Sequence, residues 1–282
     1  MLARPAKKKV PILMYHSISR YATPKFKQFI VSPALFAEQM AYLHQHRYTP
    51  ITATQFVKAR AHGASVSSAL PERPVVLTFD DGFADFFTEA LPILLQYGFT
   101  ATLYVLTAFI NGTSRWLQRE GEATRPMLTW NHLTEISKWS IEIGAHSHSH
   151  PQLDTLPRSV ARDEIVRSKR LLEHHLGQAV SSFAYPFGYH TATLRRQVQE
   201  VGYTSACAVK YAMSSETTDP FALARLMVRA DTSIDAFAAL LSGRSSPVLK
   251  MMSRRARTPI WQLGRRSSTP IMRHLQGGLF TR

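Results

Sequence analysis

Residues 73–82 read RPVVLTFDDG, an apolar run that ends abruptly in two aspartates and a glycine. Short apolar runs bounded by a turn signal are typical of strands that are buried on both faces. Strands of parallel sheets are buried in this way, because helices cover both faces of the sheet. The stretch therefore predicts a buried strand over 73–79, with Asp80 and Asp81 directly after it.

The same alternation of strand-like and helix-like segments recurs along the chain. Strands are predicted at 9–15, 73–79, 100–106, 141–145, 181–186, 203–209 and 223–228, and helices at 32–46, 84–98, 130–139, 157–177, 191–201 and 233–241. Repeated strand–helix units predict a parallel sheet, and this number of them predicts an α/β fold, a distorted (β/α) barrel of TIM type with seven strands. In such barrels the chemistry lies at the carboxyl ends of the strands.

Four polar clusters follow predicted strands and would therefore share one rim of the barrel. They are His16, FDDG at 79–82, HSHSH at 146–150 and YPFG at 185–188. Taken alone, Asp-Gly is a common turn signal, and a histidine-rich loop can be merely solvated. Two adjacent aspartates after a buried strand could instead divide their roles, one binding a metal and the other acting as a base.

The spacing of the three histidines leaves two geometries open. In a helical turn, His146 and His150 share a face that suits one metal and His148 points elsewhere, whereas in an extended strand all three share a face. Pro151 disfavours helical geometry at the residue before it, so a tight turn after the strand is expected. Two histidines and one carboxylate form a three-ligand set that can bind catalytic zinc and leave one position for water.

Three motifs, in this order, resemble those of the polysaccharide deacetylases of carbohydrate esterase family four. They are LTFDDG at 77–82, HSHSH at 146–150 and FAYPFG at 183–188. VPILMYHSI at 10–18, together with the segment 31–52, is similar to the N-terminal part of the subgroup that includes the poly-N-acetylglucosamine deacetylases. The similarity covers roughly residues 9–242. It implies a metal-dependent hydrolase that removes N-acetyl or similar acyl groups from the amino sugars of a glycan.

The resemblance also implies roles for individual residues. Asp80 would be the general base, the backbone N–H of Phe187 would stabilise the oxyanion, and Tyr185 would lie in the same substrate-binding motif. The ligands of one divalent metal would be Asp81, His146 and His150. Zinc is favoured by these ligand types, although cobalt or nickel suits the same set.

The catalytic acid is the first point at which the sequence departs from the family pattern. The usual C-terminal motif with an acid histidine is absent, because His274 is the only histidine beyond His190. In the subgroup that this sequence resembles, the acid comes from the N-terminal Tyr-His motif, which makes His16 the candidate. A histidine held positive by nearby carboxylates could protonate the leaving nitrogen. The alternative is a buried histidine satisfied by a backbone carbonyl.

A second departure is at Ala184, where many family members have an arginine that orients the base. Either another residue holds the base aspartate or this branch of the family manages without the contact.

A decayed enzyme, or a glycan-binding protein on the same scaffold without turnover, is the alternative to an active enzyme. The presence of all five proposed catalytic and ligand residues favours the enzyme.

Other polar and aromatic residues near the motifs are given minor roles. His148 is expected outside the set of metal ligands, either supporting them or solvated, and Asp85 is expected on a helix face. Trp116 and Trp130 could line a sugar groove, although buried or loop tryptophans are equally common.

The net charge of +15 is concentrated at the two ends of the chain. Seven basic residues precede the first acid, Glu38, and nine follow the last, Asp235. The other 18 of the 34 basic residues lie among all 19 acids, so the middle of the chain is near neutral. A protein that binds nucleic acid through its folded body is expected to carry a basic stripe there. The distribution therefore argues against nucleic-acid binding.

The chain is predicted to form one catalytic domain over 1–243, followed by a basic, proline-containing tail over 244–282. The tail mixes apolar and basic residues, so it is either disordered or an interfacial segment that makes peripheral contact with anionic lipid. The single cysteine, Cys207, excludes an internal disulfide. No signal peptide and no spanning helix is recognised. The expected location is cytoplasmic, or peripheral at the inner face of a membrane.

Overall fold

The computed structural model describes residues 9–61, 70–215 and 217–243. The predicted tail over 244–282 lies outside these residues. The strands are β1 (Lys9–Val10), β2 (Ile12–Tyr15), β3 (Ser17–Ile18), β4 (Ile30–Val31), β5 (Thr49–Ile51), β6 (Pro74–Phe79), β7 (Ala101–Val105), β8 (Ile141–Ala145), β9 (Ser182–Ala184), β10 (Ser205–Cys207), β11 (Ser214–Ser215) and β12 (Leu226–Met227). The α-helices are α1 (Pro33–Gln45), α2 (Ala53–Ala61), α3 (Leu91–Gln96), α4 (Trp130–Ser137), α5 (Arg158–Leu176), α6 (Ala192–Glu200) and α7 (Ile234–Leu241).

Among the described residues, seven parallel strands follow one another around a curled sheet, in the order β10-β9-β8-β7-β6-β2-β12. The short strand β5 pairs with β6 beside this path. The two ends of the path approach each other, because Cys207 and Leu223 form a parallel bridge. The N–H of Ala208 donates to the Leu223 carbonyl at 2.8 Å, and that of Leu223 donates to Ala206 at 2.9 Å. The predicted distorted (β/α) barrel is confirmed.

The core contains the whole of β6, the strand that the opening sequence predicts. All six of its residues are buried, as expected for a parallel strand covered on both faces. The ring of Phe79 packs on Tyr15 at 5.2 Å, Phe36 at 5.7 Å and Phe86 at 4.9 Å between ring centroids. Burying each such side chain contributes about 1.5–3 kcal/mol. This aromatic packing fixes the end of β6 directly before Asp80.

Most of the predicted elements are present, and the differences have local causes. The side chain of Ser32 caps α1 by accepting from the N–H of Leu35 at 3.2 Å, and α5 ends at Gly177 with φ of 64°. The predicted strand over 9–15 is divided at Pro11, which has no N–H to give to a ladder. As a result, β1 pairs with β11 in antiparallel fashion, whereas β2 enters the barrel. The helix predicted over 84–98 begins instead as a π-helical turn, Phe86–Ala90.

In the described part of the chain, no helix has both the length and the apolar character needed to cross a membrane.

Candidate active site

A cavity of about 360 Å³ opens at the carboxyl ends of the barrel strands. Residues from all four predicted polar clusters line it, together with aromatic side chains from neighbouring loops. The sequence-predicted residues on its wall are His16, Asp80, Asp81, His146, His150 and Phe187. The prediction that strand ends bring these clusters to one rim is confirmed.

Three side chains converge in the way that a metal site requires. Asp81 Oδ1 lies 3.5 Å from Nε2 of His146 and 3.5 Å from Nε2 of His150. One donor atom from each of the three residues lies within 4.8 Å of the others. The residues come from the turn after β6 and the loop after β8, so the strand order of the barrel brings them together.

The chemistry of this group fits a divalent cation. His146 Nδ1 donates to the Ala184 carbonyl at 2.8 Å, which leaves Nε2 with a lone pair directed at the group. Asp81 Oδ1 is buried and has no hydrogen-bond partner among the described residues. Burial, followed by the charge of Asp80, raises the pKa of Asp81, and burial lowers the pKa of both histidines. A cation would supply the missing partner for these buried donor atoms.

Left-handed backbone positions shape both loops that carry the group. Asp81 has φ of 77°, and Gly82 follows at 81°, where an added Cβ would lie 3.0 Å from Val105 Cγ1. Ser147 and His150 have φ of 69° and 64°. The tight turn expected before Pro151 is therefore present, and it replaces both the helical and the extended geometry. His148 points out of the group, and its Nδ1 lies 2.8 Å from Thr107 Oγ1.

Asp80 is held by an arginine that the motif analysis missed. Arg225, fully buried directly before β12, donates from Nη1 to Asp80 Oδ1 at 2.6 Å and from Nη2 to Oδ2 at 2.8 Å. The same guanidinium also donates to Thr78 Oγ1 and the Ala208 carbonyl, each at 3.2 Å. This contact explains how Ala184 can occupy the usual arginine position. An arginine inside the apolar run LARLMV was the signal in the sequence.

The charge of Arg225 decides the protonation state of Asp80. Burial alone would raise the pKa of Asp80, but Arg225, with smaller contributions from His146 and His16, lowers it to about 2. Asp80 is therefore an anion throughout the neutral range. Two Arg225 bonds still leave acceptor capacity on the carboxylate, which has about four lone-pair sites.

His16 lies at the end of β2, largely buried in the wall of the cavity. Its ring packs against Phe29 at 5.0 Å, and its Nδ1 has no hydrogen-bond partner in the described structure. The alternative expected from the sequence, a buried histidine that donates to a backbone carbonyl, does not apply to Nδ1. Burial lowers the pKa of His16 to about 4, since Asp80 raises it but Arg225 and His146 oppose that effect. The expectation that carboxylates hold this ring positive is wrong.

Comparison with known proteins agrees with this geometry. The family model for polysaccharide deacetylase matches residues 67–206, which include the aspartate turn, the histidine loop and the third motif. Residues 67–206 form a polysaccharide deacetylase domain.

Two curated members of this family illustrate how much of the chain is shared. YxkH of Bacillus subtilis, whose name assigns it to the polysaccharide deacetylases, is 27% identical over 233 residues, which are 83% of this chain and 76% of that protein. A poly-beta-1,6-N-acetyl-D-glucosamine N-deacetylase of Staphylococcus epidermidis is 23% identical over 224 residues, covering 77% and 73%. The similarity thus extends well beyond the motif region.

Solved structures show the same barrel. The Streptococcus pyogenes deacetylase PplD, in complex with acetate, superposes with a TM-score of 0.71 and 26% identity, over 85% of this chain and all of that chain. IcaB from Ammonifex degensii superposes with a TM-score of 0.69 and 20% identity, over 84% and 97%. The second comparison concerns the fold alone. Together, family and relatives identify the chain as a deacetylase enzyme.

Two aromatic residues of the third motif, Phe187 and Tyr185, lie in different environments in this deacetylase. Phe187 has left-handed backbone angles, φ 58° and ψ 1°, and its half-exposed ring lies 4.7 Å from that of His150 at the cavity wall. Tyr185 is fully buried, does not line the cavity, and donates its hydroxyl to the Phe221 carbonyl at 3.1 Å. The substrate contact expected of Tyr185 is wrong, because its side chain points into the barrel wall.

Trp116 and Trp130, the two tryptophans considered for a sugar groove, also separate. Trp116 lines the cavity and packs on Phe109 at 4.5 Å. Trp130 stacks on His175 at 3.8 Å and is not part of the cavity wall. Only Trp116 therefore fits a groove in the described structure.

Asp85 lies at the start of the helix after the aspartate turn, where it makes contacts that the sequence did not predict. It accepts from Ser17 Oγ at 2.6 Å and from the Ile18 N–H at 3.2 Å, and it pairs with Arg125 at 3.4 Å. Burial raises the pKa of Asp85 to about 6, although these bonds lower it in part. Asp85 therefore links the segment after β6 to β3, the strand that directly follows His16.

Replacement of Arg225 tests whether it sets the charge of Asp80. In Arg225→Met the burial of Asp80 is no longer opposed, so the pKa of the base should rise by about 1–3 units. The base is active only above its pKa, so the acid limb of the kcat/KM profile at saturating metal should move to higher pH. Arg225→Lys, which keeps a charge without the bidentate contact, should shift less.

The matched control is Arg195→Met, which removes a half-exposed arginine paired with Asp219. Its acid limb should stay at the wild-type position, and its stability should change by about 0–1 kcal/mol. Loss of the buried pair in Arg225→Met is expected to cost about 3–5 kcal/mol in urea unfolding. An unmoved acid limb in both Arg225 variants would show that the base is not Asp80 or is not tuned by this arginine.

Proposed function

We propose that the chain hydrolyses N-acetyl groups on the amino sugars of a glycan, with Asp80 as base, His16 as proton donor and a divalent metal at Asp81, His146 and His150. One observation supports this most strongly: the three ligand-type residues meet beside an arginine-held carboxylate in the cavity of a deacetylase barrel. A protein that only bound glycans would have no use for an ionised base beside such a group.

The reaction needs a nucleophilic water and a polarised carbonyl. When bound, a divalent ion supplies both effects, because it acidifies water and draws electron density from a carbonyl oxygen. Asp81 and the Nε2 atoms of the two histidines would hold it, and zinc suits this donor set, with cobalt or nickel as alternatives.

Asp80 takes the proton of the attacking water in this scheme. Its negative charge is secured by Arg225, and its side chain is fixed by two hydrogen bonds, so it needs no reorganisation to act. The N–H of Phe187 is the proposed donor to the oxyanion that forms on the acetamide. Loss of one such donor typically lowers the rate about 10²–10³-fold.

The amine leaves only if its nitrogen is protonated, and His16 is the proposed source of that proton. With a pKa of about 4, the ring is neutral at neutral pH, and its protonated form is a stronger acid than an ordinary imidazolium. The proton must then arrive during the reaction. Asp80, which removes a proton from water and whose charge raises the pKa of His16, is the proposed supplier.

The cavity wall supports a sugar as the substrate. Its volume is at the lower end of the range for small-molecule sites, about 300–1,000 Å³, and it is lined by Trp116, Phe187, Tyr189 and Tyr211. Aromatic faces of this kind pack well against sugar rings. The Staphylococcus epidermidis relative acts by its name on a β-1,6-linked N-acetylglucosamine polymer. We propose the same class of polymer as the substrate here. Peripheral membrane contact and the cellular location of the protein stay predictions from the sequence.

Release of acetate from a panel of glycans tests the proposed reaction. β-1,6-linked N-acetylglucosamine oligomers should release acetate with added Zn²⁺ or Co²⁺ and should stop doing so with a chelator. Chitin oligomers test whether the linkage matters, and acetylated xylan tests whether the enzyme requires an amide bond.

His146→Ala, which removes a ligand, should lose metal and activity, whereas His148→Ala should keep the metal and much of the activity. Glycan binding without acetate release in the metal-saturated protein would favour the binding-protein alternative.

Replacement of His16 tests the proposed proton donor. His16→Ala should fold and keep its metal, while kcat for the amide falls by about 10²–10⁴-fold, the range for a positioned proton donor. The loss should be smaller for an acetyl ester with a good leaving group, because that group departs without protonation. Amide hydrolysis at the wild-type rate in a folded, metal-loaded His16→Ala protein would exclude this role.

A further inference from the structure

The loop that carries His150 has a conformation that its own residues do not favour. Ser147 and His150 both have left-handed φ angles, which residues other than glycine rarely adopt. Such positions persist when surrounding contacts determine them. Contacts that hold residues 147–150 therefore decide where His150 presents its Nε2.

One carboxylate outside the cavity contacts this loop three times. Glu164 Oε2 accepts from the N–H of His148 at 2.9 Å and from that of Ser149 at 2.7 Å. Glu164 Oε1 accepts from Ser149 Oγ at 2.6 Å. Two successive backbone N–H groups and a hydroxyl thus converge on a single side chain, immediately before His150.

The helix that carries Glu164 is packed into the core. Glu164 lies in α5, whose Ala161, Ile165, Ser168 and Leu172 are buried. The carboxylate is thereby tied to the barrel core one residue before Ile165, which is fully buried. On the other side of the loop, the His148 carbonyl accepts from the Ala108 N–H at 2.9 Å. The loop is held between α5 and the segment after β7.

We propose that Glu164 is a positioning residue for the metal site, acting by fixing the backbone of residues 148–149 so that His150 faces Asp81. The inference rests on the proposed metal site. Glu164 does not touch the reacting atoms, since it does not line the cavity. Residues that orient metal ligands typically change metal affinity about 10–100-fold when removed.

Metal affinity, measured by competition with a chromophoric chelator for Zn²⁺, is the test. Glu164→Met keeps the length and helix preference of the side chain but removes both acceptors, and its affinity should fall about 10–100-fold. Glu164→Gln should restore most of the affinity, because its carbonyl can accept both N–H groups while the Ser149 hydroxyl turns to accept from the amide. The absorption spectrum of Co²⁺ should report weakened histidine ligation in Glu164→Met alone.

Asp163→Met is the matched control. Asp163 is the neighbouring acid, exposed on α5; its charge acts on His148, but it makes no hydrogen bond to the loop among the described contacts. Its loss should change the affinity less than about threefold, since an exposed charge is screened by salt. A similar loss in both variants would mean that charge rather than positioning matters, and would overturn the inference.

The remaining outcomes separate this inference from the proposed function. Wild-type protein that binds no metal would overturn both. Wild-type binding with unchanged affinity in Glu164→Met would overturn only the role of Glu164. If Glu164→Met does not fold, Ser149→Ala provides the test, because it removes the hydroxyl contact alone. A fall in affinity of at least about threefold there supports the inference, and unchanged affinity overturns it.

Discussion

The buried pair between Arg225 and Asp80 is the interaction on which both the barrel and its site depend. Neither group can be buried alone, because an unpaired charge in the interior costs several kcal/mol. Arg225 lies between Leu223, which bridges to β10, and β12, which pairs with β2, while Asp80 directly follows β6. The pair therefore joins the closing strands of the barrel to the strand that carries the base. The same contact therefore links the closing strands of the fold to the ionisation of the base.

The rest of the site follows from the burial of several titratable groups around that pair. Arg225 balances the negative charge of Asp80 but does not pair with Asp81. Burial and the neighbouring charge of Asp80 raise the pKa of Asp81. Burial drives His146 and His150 toward their neutral forms, and the hydrogen bond from Nδ1 of His146 to the Ala184 carbonyl leaves the lone pair of that ring at Nε2. A neutral histidine pair facing an uncompensated carboxylate is a site for a cation. The arginine thus assigns different roles to two adjacent aspartates.

The residues that follow strands were predictable from sequence, whereas long-range partners were not. The runs before Asp80 and His146 are apolar and short, so their strands and rim positions could be inferred from pattern alone. Arg225 is 145 residues from Asp80, and their contact depends on register across the closed sheet, which no local pattern encodes. The pKa of His16 and the burial of Tyr185 likewise depend on packing from several elements. The partners of Asp85, Ser17 and Arg125, come from distant segments and were not predictable either.

Anomalous diffraction from crystals grown with Zn²⁺ tests the central claim most directly, since it locates the metal and the arginine together. The account predicts one strong peak about 2.0–2.2 Å from an oxygen of Asp81 and from Nε2 of His146 and His150. Arg225 should still donate both hydrogen bonds to Asp80, which stays outside the ligand set. A peak bound by Asp80, with Arg225 turned away, or a peak elsewhere on the protein, would contradict it.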